Sequence, residues 1–322
     1  MFGLTLKPRG GADEEFFAIH DELVIVQPTT FGTTTQFLRQ SIVPVVAHVQ
    51  GEDLLRCLGT GFFISCSGLL VTAAHVVTDP IERCYGGLRE HDDMTWRGED
   101  LKLGILLPTH TPQGNPGFAF RPMEWASFLA RRSGNPLPIA TLDLKLTSDT
   151  ALCKVSPIAP DVPYQPLAIV QSGLVGVGMG IGKRAVAVGY GAMQDVILSR
   201  DTNGDLAGDF AFDLHASTGN IVERFPDNLV KREASAPGAC FAASLRLPAG
   251  MSGSPIFDHE GVYVHGVVSM GLVAADGVAP LGYGSMLDHS WHVPIRAMEN
   301  KTLGELHSEL EHGFAKLSGP GM

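Results

Sequence analysis

Three short blocks hold side chains of the types that acyl transfer needs. Residues 248–257 read PAGMSGSPIF, with Ser252 in a turn bracketed by Gly250 and Gly253 and followed by an apolar strand. A nucleophilic hydroxyl must stand exposed on a fixed, tight turn. Backbone N–H groups must also aim at the negative charge that develops on the attacked carbonyl. Glycine on both sides permits that turn and lets a substrate backbone come close. Residues 68–77 read GLLVTAAHVV and put His75 at the end of an apolar strand, where packing holds a general base still. Residues 148–155 read SDTALCKV, with Asp149 opening another apolar strand. A carboxylate pointing inward there would fix the imidazole tautomer and stabilise its cation. The first two blocks alone have plainer readings: a Gly/Ser turn and a structural histidine. Asp143, in TLDLKL, competes with Asp149 for the carboxylate role.

The elements that must position these residues read as strands. SIVPVVAHV (41–49), GTGFFIS (59–65), GLLVTAA (68–74), TALCKV (150–155), RAVAVGYG (184–191) and VYVHGVVSM (262–270) are short, rich in Val, Ile and Phe, and separated by turn residues. The 38 glycines and 21 prolines of the 322-residue chain lie scattered between such runs. Many short strands with frequent turns predict an all-β sandwich or barrel. The stretch 85–140 is rich in Pro, Gly and charge, and reads as an insertion or long loop system. The stretch 159–183 suits a connector between two halves. Leu303, Leu306, Leu310, Phe314 and Leu317 share one helical face, and Thr302 with Glu305 forms a capping box, so a helix closes the chain. The expected organisation is an N-terminal extension (1–39), a first β unit (40–160), a second (161–295) and a C-terminal helix and tail (296–322).

Composition removes several functions. A formal charge of −11 with no Lys/Arg cluster argues against nucleic acid as a partner. Lys7, Arg9 and Asp13-Glu14-Glu15 interrupt the first residues before an apolar signal core forms. The longest uncharged stretch, Val162 to Gly182, is broken by prolines and glycines, so no membrane helix is expected. Five cysteines without a CxxC pair suit a reducing, cytoplasmic setting. GVGMGIGK (176–183) has Val177 and Arg184 where a phosphate loop needs glycine and Ser/Thr. In DTNGDLAGD (201–209), Leu206 stands where a calcium loop needs glycine, and an exposed turn is the better reading. The 12 histidines form no HExxH. Neither a metal nor a cofactor is expected.

Taken together, TAAH around His75, DTAL at Asp149 and GMSGSP around Ser252 resemble the three blocks of trypsin/chymotrypsin-like serine proteases, in that family's His…Asp…Ser order. The GxSGSP ending is most similar to bacterial glutamyl endopeptidases and, more loosely, to Deg proteases. The resemblance covers about residues 40–295 and implies a bacterial source. It also implies two antiparallel β-barrels of the chymotrypsin type with the site in the cleft between them; the expected fold is all-β, with a long insertion in the first barrel and a C-terminal helix. It makes His75, Asp149 and Ser252 the catalytic triad, with Gly250 and Ser252 supplying the oxyanion hole. HGVVSMG (265–271) resembles the strand that binds substrate, here Ser269, Met270 and Gly271. The pocket floor falls near Arg246 and Leu247: an inward Arg246 would select an acidic side chain, an inward Leu247 a small or medium apolar one.

Four departures from the family matter. His75 and Asp149 lie 74 positions apart, a long interval for the family. Val76 and Thr60 stand where secreted relatives place a disulfide beside the histidine. Met251 replaces the aspartate that clamps a freed N-terminus, and Val268 replaces the histidine of glutamyl endopeptidases. The implied activity is endopeptidase cleavage of a protein or peptide substrate without cofactor; the alternative is a non-catalytic barrel pair used for binding. A cytoplasmic protease needs restraint. Met251 excludes the N-terminal ion-pair switch, which leaves the 248–252 loop as the two-state element, with the 85–140 segment holding that loop or covering the cleft until a regulatory protein partner or substrate binds.

Overall fold

The computed structural model describes residues 4–8, 19–20, 23–25, 38–85, 95–96, 101–110, 116–132, 144–158, 162–170, 179–200, 206–210, 212–226, 236–258, 263–272, 280–295, 298–309 and 313. The chain forms two closed six-stranded antiparallel β-barrels. The first contains β1 (Ile42–Val49), β2 (Leu54–Phe63), β3 (Leu69–Thr72), β4 (Leu101–His110), β5 (Pro116–Arg132) and β6 (Leu144–Val155). Its order is β6–β3–β2–β1–β4–β5, and β5 returns to β6 to close the ring. The second contains β7 (Arg184–Gly191), β8 (Asp213–Phe225), β9 (Cys240–Ala243), β10 (Pro255–Asp258), β11 (Val264–Leu272) and β12 (Leu281–Met286). Here the order is β7–β10–β11–β12–β9–β8, closed by β8 on β7.

The apolar run of β1 is explained by burial on both faces. Val43, Val45 and Ala47 face the main core with Phe62, Leu70 and Leu103, while Val46 turns outward. There it meets Leu55, Leu106, Phe118 and Phe120 under a cover of Val196, Leu198 and Phe210. The period is still two, but neither face is wet, so the alternation shows in partners and not in polarity. The main core continues into the second barrel through Tyr190, Phe241, Met251, Ile256 and Val267.

The loop half of the reading for 85–140 is corrected. This stretch supplies β4 and β5, two of the longest strands of the first barrel, paired from Gly104↔Pro122 to His110↔Pro116. Gly104 lies within β4. It sits where a Cβ would come within 2.5 Å of the Arg121 carbonyl and the Phe120 ring, so it serves a close cross-strand approach. The N-terminal extension also adds strands to both sheets. Leu4–Pro8 pairs in parallel with Leu206–Phe210, and Leu23–Ile25 pairs with His215–Ser217 of β8. Of the DTNGDLAGD stretch, 201–205 lies outside the described residues and the remainder is in that Leu206–Phe210 strand, not in a turn.

A helix, α1 (Ala74–Tyr85), follows β3. The C-terminal helix, α2 (Leu303–Glu309), buries Leu303 and Leu306. Its capping box is made: Glu305 accepts from the Thr302 N–H at 2.6 Å, and Thr302 Oγ1 accepts from the Glu305 N–H at 3.2 Å. Leu310, Phe314 and Leu317 lie outside the described residues. Among the described residues no helix is long and apolar enough to cross a membrane.

Candidate active site

The imidazole and the carboxylate come from the first barrel. β3 is buried throughout and ends at Thr72; the chain turns through buried Ala73 and Ala74, and His75 stands in the first turn of α1 with its side chain partly exposed. Packing of the strand therefore aims the histidine, although it sits just past the strand's end. Asp149 lies in β6, where pairing with β5 jumps from Leu146↔Ala130 to Ala151↔Phe128. The surplus residues of this bulge include Ser148, Asp149 and Thr150, all buried. A bulge re-aims side chains that a regular strand would alternate. Asp149 uses it to reach His75, whose Nδ1 lies 2.8 Å from Oδ2 and whose backbone N–H donates to Oδ1 at 3.0 Å. Asp143 lies outside the described residues.

Ser252 sits in the loop between β9 and β10, from the second barrel. Gly250 (φ +95°) and Gly253 (φ +88°) hold the left-handed conformations that the turn requires. The Ser252 hydroxyl donates to the Ser269 carbonyl at 3.5 Å, and His75 Nε2 has no hydrogen bond among the described residues. In unliganded sites this contact is often loose and tightens when substrate arrives. The N–H groups of Gly250 and Ser252 also have no hydrogen-bond partner among the described residues. They flank the Met251 N–H, which is bonded to the Pro248 carbonyl.

Ser269 links the two halves. It is the extra residue of a second bulge, between Val268↔Gly284 and Met270↔Tyr283, and its hydroxyl donates to Asp149 Oδ2. Sequence reasoning assigned Ser269 a backbone role and missed this side-chain one, because a bulge leaves no mark in a run such as HGVVSMG. Burial opposes charge on both members of the pair. For His75, the hydrogen bond and charge of Asp149, with Asp79 adding to them, outweigh it and raise the pKa above 6.5. For Asp149, the bonds from His75 and Ser269 outweigh burial and lower it below 3.8.

The two candidates for the pocket floor part ways. Arg246 is exposed. Leu247 packs between Gly271 and Gly282, which face each other across β11 and β12: a Cβ on Gly271 would meet the Leu247 Cβ at 2.9 Å, and one on Gly282 would meet a Leu247 Cδ at 2.4 Å. Met270 is half-buried and Gly271 exposed along the same strand. No cluster of metal-ligating side chains occurs among the described residues.

A family model for a trypsin-like peptidase domain matches residues 59–267. No curated protein matches the chain. Among solved structures, the chain is similar to Deg5 at 14% identity, over 80% of this chain and 89% of that one, with a TM-score of 0.41. It is similar to the MamO protease domain from Magnetospirillum magneticum in its apo form at 11% identity, over 79% and 96%, with a TM-score of 0.41. It is also similar to Rv3671c from M. tuberculosis H37Rv, a serine-to-alanine variant in an inactive form, at 18% identity, over 92% and 98%, with a TM-score of 0.37.

Proposed function

Because the chain belongs to the trypsin-like peptidase domain family, we propose that it is a serine endopeptidase whose triad is His75, Asp149 and Ser252. The observation that carries this reading is the buried Asp149 carboxylate, which takes donors from His75 Nδ1, the His75 backbone and Ser269. That arrangement holds the imidazole through Nδ1, leaves Nε2 for the serine, and favours the cation. Ser252 attacks the scissile carbonyl, His75 takes the proton and later delivers it to the leaving amine, and Asp149 stays ionised throughout. The free N–H groups of Gly250 and Ser252 receive the oxyanion.

Substrate adds as a strand. Pairing of β10 with β11 ends at Pro255↔Val267, and among the described residues the backbone from Met270 to Leu272 has no strand partner on that side. A peptide would bond there and leave its side chain beside Leu247. The wedge of Leu247 between two glycines favours a small or medium apolar residue on the acyl side of the cleaved bond, and exposed Arg246 gives no support to an acidic preference. Cys57, Cys66, Cys153 and Cys240 are free thiols, which supports the proposal of a reducing, cytoplasmic setting.

A fluorophosphonate probe tests the reading. Wild type is expected to label at Ser252, and Ser252→Ala is expected not to label while keeping its fold. A wild type that folds but never labels would leave the barrel pair as a binding module.

A further inference from the structure

The GTG of the second strand, Gly59-Thr60-Gly61, lies opposite the serine loop and has no part in the chemistry described above. Thr60 is completely buried, belongs to β2 of the first barrel, and makes five hydrogen-bond contacts to the second barrel and its own, the longest of which sets its hydroxyl 3.4 Å from the Tyr190 carbonyl. Its backbone N–H donates to the Ser252 carbonyl at 2.7 Å. Its hydroxyl donates to the Gly250 carbonyl at 3.0 Å and accepts from the Tyr190 N–H at 3.0 Å. Its own carbonyl accepts from Thr72 Oγ1 at 2.7 Å. The neighbours are shaped to allow this. A Cβ on Gly59 would sit 2.6 Å from the Ser252 carbonyl oxygen, and one on Gly253 would sit 2.0 Å from the Thr60 oxygen. Only glycine lets the two barrels approach so closely here.

The peptide planes of the loop show what these contacts hold. The Ala249 carbonyl accepts from the Ala192 N–H at 2.7 Å, and the Met251 carbonyl accepts from the Ser254 N–H at 3.0 Å. These are the two planes whose N–H groups, on Gly250 and Ser252, are free. The plane between them has its N–H on the Pro248 carbonyl at 3.2 Å and its carbonyl on Thr60 Oγ1. The plane after Ser252 has its N–H on the Val268 carbonyl at 2.7 Å and its carbonyl on the Thr60 N–H. Among the described residues, second-barrel groups make every other hydrogen bond to the loop, and Thr60 is the first-barrel residue bonded to it. Glycine at 250 makes a peptide flip inexpensive, and without an outside anchor nothing in Gly250 itself prefers the donor-out state.

We propose that Thr60 is a positioning residue that fixes the loop with both oxyanion donors facing the cleft, and so keeps the donors in register with His75. The two-state element expected of residues 248–252 then has its control point in the first barrel. This rests on the serine-endopeptidase reading for its kinetic consequence, but not for its structural one.

The test is Thr60→Val, which keeps the shape and removes the hydroxyl, with Thr60→Ser as the variant that keeps the donor. Amide hydrogen exchange across 248–254 should be faster by about tenfold or more in Thr60→Val, and close to wild type in Thr60→Ser. Losing one oxyanion donor outright costs about 10²–10³ in turnover; a loop that is flipped for part of the time should lose about 10–100-fold in kcat with KM little changed, and Thr60→Ser should restore it. If Thr60→Val does not fold, Thr72→Val, which frees the Thr60 carbonyl, should speed exchange in the same segment to a lesser degree. Unchanged exchange at 248–254 in a folded Thr60→Val overturns the inference whatever the activity. Faster exchange in a protein whose wild type neither labels nor cleaves would keep the clamp and overturn the enzymatic reading instead.

Discussion

The two barrels prepare their halves of the site differently. In the first, the Asp149 carboxylate and the imidazole are joined by two side-chain contacts, at 2.8 and 3.0 Å, and by the histidine's own backbone N–H. In the second, the serine hydroxyl has a single contact at 3.5 Å, and the two free N–H groups beside it wait unused. One half is tied down before substrate arrives; the other holds its reactive atoms open. The difference follows from what each must do. A buried carboxylate needs its donors at all times, because an unpaired buried charge is expensive. Oxyanion donors are useful only if no ground-state partner has claimed them.

The largest expected effects test this division directly. Ser252→Ala removes the nucleophile and should cut turnover by about 10⁶. The Ser252 hydroxyl contributes no tight bond to the fold, so the melting temperature should barely move. Full turnover in folded Ser252→Ala would end the mechanism. Asp149→Asn should cost about 10⁴ through the wrong imidazole tautomer. Because the amide cannot accept from both His75 and Ser269 as the carboxylate does, this variant should also melt lower. Asp143→Asn should do neither; the opposite pattern in kcat would move the carboxylate role to Asp143.

How much of this could be read from the residues depends on the kind of feature. Ser252 and His75 were legible because their turn and strand chemistry is local: glycines beside one, a buried apolar run before the other. The capping box at Thr302 and Glu305 was legible for the same reason. The strands at 101–110 and 116–132 were hidden because Gly104, Pro108 and Pro122 punctuate them, and those residues answer to partners across the sheet, not to turns. Ser269's grip on Asp149 and Asp149's inward aim both depend on bulges, which are set by pairing between distant strands. The glycines of GTG could be seen as strand residues, but the serine loop that they make room for lies about 190 positions away in the chain.

Specificity gives an intermediate effect in the second barrel. Leu247→Ala should open the space between Gly271 and Gly282 and shift preference toward larger apolar residues on the acyl side of the bond. A ratio change of about 10–200-fold is the range that one to a few methylenes confer. Profiling with a peptide library reads it; an unchanged profile would remove Leu247 from the pocket. In the first barrel, the raised His75 pKa sets the acid limb of kcat/KM. The base must be neutral to act, so activity rises with pH through that pKa, and its midpoint should lie above 6.5. In Asp149→Asn the main supporting charge is gone and only Asp79 still opposes burial, so the limb of the residual activity should move to lower pH. A wild-type limb at or below 6.5 would mean that the carboxylate does not support the cation in solution.

The smallest effect tests whether the first barrel's half is self-sufficient. Among the described residues, Ser269 is the second-barrel side chain bonded to Asp149. Ser269→Ala removes that donor and leaves both His75 donors in place. The carboxylate loses one stabilising bond, so its pKa rises from its lowered value, while both bonds from His75 still favour the ionised form. Less of its charge is then engaged elsewhere, so the imidazolium is held at least as well and the acid limb should stay or move slightly up. Substrate bonds to the Ser269 backbone, which the substitution keeps, so KM should hold. Turnover should fall by about tenfold or less, as for one hydrogen bond to a charged group. A fall approaching the 10⁴ of Asp149→Asn, or an acid limb moved down, would show that the carboxylate is aimed from the second barrel, and the contrast between a finished half and an open one would not stand.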